Sequence, residues 1–150
     1  MTSEFNVAVH ALVYLHHKNK TVSSEELAEN ICTNPARVRK VLSKLRKADL
    51  VVTKEGAEGG YQFVLDAEKV TLGDVGNALD LVYVSAGWKS GDTDMDCLVA
   101  SGMAAVMDDI YGNLNAVCRR YLNRLTIHDI DAVIFKSPGK AGQPAHLNTI

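Results

Sequence analysis

The chain is poor in residues that crosslink or ligate. Three cysteines, Cys32, Cys97 and Cys118, are spread over 150 positions without a CxxC pair. That spacing argues against a disulfide scaffold and against a structural zinc site. Apolar runs are short, none approaching the ~20 residues of a membrane span. The opening residues, MTSEFNVAVH, place no basic segment ahead of an apolar run, so no membrane association is expected and the cytoplasm is the default location. Catalytic signatures are missing too: there is no GxSxG, HExxH, Walker loop or strand-borne GxGxxG, and an enzyme is not expected. The histidines form no ligand cluster, His16 and His17 being neighbours on a helix that point ~100° apart.

The most telling shortage is local. Between Asn34 and Lys47 there is no acidic residue, while Arg37, Arg39, Lys40, Lys44, Arg46 and Lys47 supply six positive charges. Net charge over the whole chain is −2, but residues 1–60 carry 9 Lys and Arg against 7 Asp and Glu, and residues 61–150 carry 7 against 11. A duplex responds to the local patch, because charges more than roughly 10 Å away are screened at ~0.1 M salt.

What is present around that patch reads as a succession of short elements. Residues 4–17 predict a helix with Phe5, Ala8, Val9, Leu12, Val13 and Leu15 on a broad apolar face, ended by Lys18-Asn19-Lys20. Ser23 and Glu26 form a capping box for a second helix that buries Leu27, Ala28 and Ile31. Asn34 caps a third helix over 35–47, with Pro35 at its first position, where a missing N–H costs nothing. Val38, Val41, Leu42 and Leu45 make one apolar stripe at i, i+3, i+4, i+7. The basic arc must then face outward, as a recognition helix requires.

Leu50–Thr53 and Tyr61–Val64 predict the two strands of a hairpin around a loop with Gly56, Gly59 and Gly60. Thr71 and Asp74 suggest a further capping box and a helix to about Leu79, followed by a short strand over 81–85 and a polar loop over 87–96. Val99, Met103, Val106, Ile110, Leu114, Val117, Tyr121 and Leu125 alternate by fours and threes, close to a heptad seam. A helix over 99–125 would be roughly 40 Å long, too long for a small domain to cover, so pairing with a second copy is its expected fate. Gly112 lies inside that pattern. Thr126 caps a final helix over 127–134, and 136–150 reads as a flexible tail.

In this order and spacing, LRKADLV (45–51), GAEGGYQF (56–63) and VTLGDV (70–75) resemble the Rrf2 family of bacterial transcription regulators over about residues 3–134. The resemblance implies a mainly helical fold with a small β-hairpin: a winged helix-turn-helix over 1–80, then effector loop and dimerisation helices over 81–135. It implies a homodimer that binds double-stranded DNA at a partly palindromic operator, with repression as the expected output. Ser23, Ser24, Asn34, Ala36, Arg37, Arg39, Lys40, Ser43, Lys44 and Lys47 of the helix-turn-helix, with Lys54, Gly59, Gly60 and Tyr61 of the wing, are then the expected DNA contacts. Val99 to Tyr121 of the seam are the expected dimer contacts.

Two departures from the family pattern stand out. Iron–sulfur members place three cysteines in the loop before the long helix, whereas this chain has Cys97 there and no other. His10 or Glu4 offers one further ligand, but a cluster needs several thiolates, and no cofactor is expected. Cys97 is instead a redox candidate: the dipole of the following helix favours its thiolate, and Asp92, Asp94 and Asp96 oppose it. Cys32 and Cys118 read as buried small residues. The wing carries Glu55 where a basic residue is common before its first glycine, and Glu58 follows, which weakens its expected hold on DNA. A small-molecule effector between Tyr83, Trp88, the methionines and the long helix, or a winged helix that binds protein instead of DNA, are the alternatives.

Overall fold

The computed structural model describes residues 2–136 and 147, so that apart from Lys136 and Leu147 the expected tail lies outside the described residues. Its elements are α1 (Ser3–Lys18), α2 (Ser24–Ile31), α3 (Pro35–Lys47), β1 (Val52–Lys54), β2 (Gly60–Gln62), α4 (Leu72–Ala78), α5 (Leu98–Leu122) and α6 (Ile127–Lys136). The architecture is a winged helix with a long C-terminal helix, as the patterning implies.

The core forms where the first three helices turn their apolar faces together. Leu12 and Leu15 of α1, Leu27 of α2 and Val38, Val41, Leu42 and Leu45 of α3 are wholly buried. Each such side chain is worth roughly 1.5–3 kcal/mol of transfer free energy. N-caps form at Ser23 and Asn34, but the expected Ser23–Glu26 box is only half made, the Glu26 carboxylate accepting instead from the Tyr14 hydroxyl at 2.9 Å. Ser23 accepts from the Glu26 amide at 3.1 Å and Asn34 from the Arg37 amide at 2.8 Å. Asn19 ends α1, and Cys32 ends α2, in the left-handed conformation. Cys32 is therefore an exposed helix terminus and not the buried residue its type suggests.

The hairpin is shorter and shifted from its sequence pattern. Asp49 takes a positive φ, and the Leu50 amide donates to the Leu45 carbonyl at 2.9 Å. This closes α3 with a Schellman-type turn. Leu50 and Val51 are buried by that turn and β1 starts after them. Phe63 is buried beyond the end of β2, while Val64 is exposed. The wing is docked by backbone: Val22 and Tyr61 exchange both N–H···O bonds, at 2.9 and 2.8 Å.

Two further expectations change. Residues 81–85 form no strand. The Asn115 side chain accepts from the amides of Tyr83 and Val84 and donates to the Val84 carbonyl, so α5 satisfies this segment in place of a neighbouring strand. The long helix ends at Leu122, three residues before Leu125, which is buried in the winged-helix core. Thr71–Asp74 and Thr126–Asp129 are paired capping boxes, joined where the Leu72 amide donates to Leu125 and the Ile127 amide to Val70. That junction terminates α5 and returns α6 to pack on α1.

Candidate nucleic-acid interface

α3 presents its basic arc away from the core. Ala36, Arg39, Lys40, Ser43, Arg46 and Lys47 are exposed, Arg37 and Lys44 half-buried. The arc is partly neutralised from within the chain. Glu4, near the start of α1, meets Lys44 Nζ at 2.6 Å and Lys40 Nζ at 3.0 Å. These two lysines are one helical turn apart, so both reach one carboxylate. Their hydrogen bonds, Lys44 first, hold the Glu4 carboxyl below its ordinary pKa. Arg39 Nη1 meets Glu25 at 3.1 Å and donates to Ser24 Oγ at 3.0 Å. Glu25 is likewise lowered, by its own backbone amide first, then by Ser24 and Arg39. Arg37 donates to the Ser3 hydroxyl.

Ser24 is buried and holds Arg39 from beneath, so its place is behind the interface. Ser23 and Asn34 are engaged as caps. Lys54 and the loop acids Glu55 and Glu58 are exposed at the wing. Gly59 and Gly60 serve the backbone: a Cβ on Gly60 would lie 2.3 Å from the Val22 carbonyl oxygen, and one on Gly59 2.7 Å from that of Lys54. Tyr61 is half-buried beside them. Helix arc and wing thus project from one scaffold, with Gly60 letting the wing meet the turn before α2.

The predicted seam residues of α5 are uncovered. Val99, Met103, Val106, Ile110, Leu114, Val117 and Tyr121 range from 36 to 66 % exposed, against 2 % for Leu125. Seven large apolar side chains in one stripe exceed what scattered surface hydrophobes account for. On the neighbouring side of α5, Trp88, Met103, Met107 and Tyr111 line a cavity of about 450 Å³. Tyr83 is buried outside it.

Cys97 sits exposed at the N-cap of α5. Its side chain makes no capping hydrogen bond, yet the amides of Ala100 and Val99 pull the thiol below its ordinary pKa. An iron–sulfur cluster does not fit this donor set. Cys97 is one thiol where several are needed, and no group of three His, Cys, Asp or Glu gathers among the described residues. No helix among them is long and apolar enough to cross a membrane.

Sequence reasoning missed two features. Glu4 faces α3 across 36–40 residues of chain, and its only signal was an acid isolated in an apolar helix. A groove of about 590 Å³ between α1 and α6, lined by Phe5, Val9, Ile134 and Phe135 among others, joins segments about 120 residues apart.

Comparison with known proteins agrees with this geometry. The regulator IscR of Vibrio campbellii is 28% identical over 132 residues, covering 87% of this chain and 76% of that protein. A solved structure described as a transcriptional regulator from Lactobacillus plantarum superposes with a TM-score of 0.78 at 28% identity, covering 89% of this chain and 91% of the other. CymR of Bacillus subtilis, a global cysteine regulator, has a TM-score of 0.65 at 17% identity over 88% of this chain and 95% of its own, and shares the fold. The Rrf2 model, described as an iron-dependent transcriptional regulator, matches residues 1–132. A winged helix with an outward basic arc, built on that match, places the chain in the Rrf2 family of DNA-binding transcription regulators.

Proposed function

We propose that this protein is a repressor that binds a partly palindromic operator as a homodimer. The observation that carries the reading is the uncovered α5 seam, from Val99 to Tyr121. A second α5 would bury it and set two recognition helices side by side. Successive major grooves lie about 34 Å apart, so the operator's half-sites are one helical turn from centre to centre. In this arrangement residues 1–80 and α6 form the DNA-binding unit, and residues 81–121 the effector loop and dimer helix. Ile110→Glu buries a charge in the seam, and light scattering is expected to show the dimer of the parent chain replaced by monomer. Operator binding in gel shifts should fall with it. A monomeric parent chain that binds a single half-site as tightly as the full operator would reject the dimer.

Thiol control is the second reading, favoured by the amides of Ala100 and Val99 around an exposed Cys97. Diamide is expected to weaken operator binding by the parent chain and to leave Cys97→Ser unaffected. Unchanged affinity with every thiol modified would end the redox reading and leave an effector in the Trp88 cavity as the route of control.

A further inference from the structure

We propose that Glu4 is a built-in competitor for phosphate: its carboxylate occupies Lys40 and Lys44 of the recognition helix and lowers affinity for every duplex alike. The inference rests on the DNA-binding reading. Both lysines lie on the outward arc of α3, and one carboxylate engages both, one oxygen to each, at 3.0 and 2.6 Å. Glu4 is itself sheltered, its side chain 23 % exposed, so solvent screens this contact less than an ordinary surface pair.

A DNA phosphate approaching Lys40 or Lys44 meets ammonium groups that this carboxylate already pairs from behind. It must either displace Glu4 from both ammonium groups or accept its repulsion at close range. Glu25 stands in the same relation to Arg39, but its side chain is 67 % exposed, so the screening is stronger there. Among the described residues, Arg46 and Lys47 have no acidic partner of this kind. They are left to make the first phosphate contacts, and Lys40 and Lys44 join once a phosphate outcompetes Glu4. The effect carries no base information, since phosphate contacts are independent of sequence.

The test uses the full chain and a fluorescently labelled mixed-sequence duplex of about 30 base pairs, long enough for two half-sites a helical turn apart. Anisotropy titrations are run from low to moderate salt. Glu4→Gln is expected to bind about five- to tenfold tighter near 0.1 M salt, the size of one close unit-charge repulsion in a largely aqueous setting. Its plot of log affinity against log salt should steepen by roughly 0.9 for each lysine released. Glu4→Asp, with charge kept and reach shortened, is expected to move in the same direction by less, and stands in if Glu4→Gln melts early by circular dichroism. Glu68→Gln, the same change of net charge outside this contact, should leave the slope unaltered. In a Lys40→Gln, Lys44→Gln background the Glu4 substitution should lose its effect. Unchanged or weaker binding by both Glu4 variants would overturn the proposal. Absence of salt-dependent binding by the parent chain would instead overturn the DNA-binding reading beneath it.

Discussion

Arg39 and Lys47 sit on the same exposed arc of α3 and are held differently. Arg39 is fixed from behind by the buried Ser24 hydroxyl and by Glu25, an arrangement that aims a planar guanidinium and limits the entropy lost on contact. Lys47, in the last turn, is exposed. A fixed guanidinium suits bidentate reading of guanine, and a mobile ammonium suits phosphate. Arg39→Ala is therefore expected to cost ~1–3 kcal/mol on an operator selected from a random pool and little on its scrambled version. Lys47→Ala should weaken both alike and reduce the salt slope by about 1. Gel-shift titrations on the two duplexes decide it, and equal losses for Arg39→Ala would remove that residue from the base-reading set. The arc itself was legible in residues 34–47, because a helix with one apolar stripe can turn its charges only outward. Its internal pairing was not, because Glu4 meets the arc only after α1 and α3 have packed.

At the scale of elements, the hairpin depends on one backbone approach. β1 and β2 pair over three residues each, too few for an isolated hairpin to persist in water. The exchange between Val22 and Tyr61 ties this ribbon to the turn before α2, and Gly60 lets the two backbones meet. Gly60→Ala should displace the wing and destabilise the protein by about 2 kcal/mol or more, lowering the melting temperature by roughly 4–8 °C. A thermal melt indistinguishable from the parent would show that the wing is not anchored there. Strand type was readable from β-branched runs, but strand bounds were not. The Schellman-type turn after α3 claimed Leu50 and Val51 for the core, a tertiary demand that no local propensity encodes. The same holds for 81–85, whose strand-like composition lost to the Asn115 side chain.

Across the whole molecule, charge and apolar surface are divided between two ends of the chain. The basic arc belongs to the first 60 residues, while the acid excess lies in the remainder. A net charge of −2 therefore coexists with a local attraction for phosphate, and the rest of the surface repels a duplex that approaches in another orientation. The exposed seam of α5 stands apart from the core that collects Leu122, Leu125 and Ile127. One long helix is thus divided: its last turn belongs to the winged-helix body, and its preceding turns carry an exposed apolar stripe.

Sequence alone determined the helices and the hairpin, their order, four of the caps and the outward basic arc, because periodicity and capping are settled within a few residues of chain. It also located the seam, whose spacing is a property of one helix. Tertiary structure decided where those elements stop and what their polar groups meet. Leu125 left the seam for the core because the Thr71 and Thr126 turns lock together. Ser24 moved behind the interface because Arg39 folds over it. Glu4 reached the basic arc because α1 lies across α3. Each outcome depends on contacts between distant segments, whose energies appear only when the chain has closed on itself.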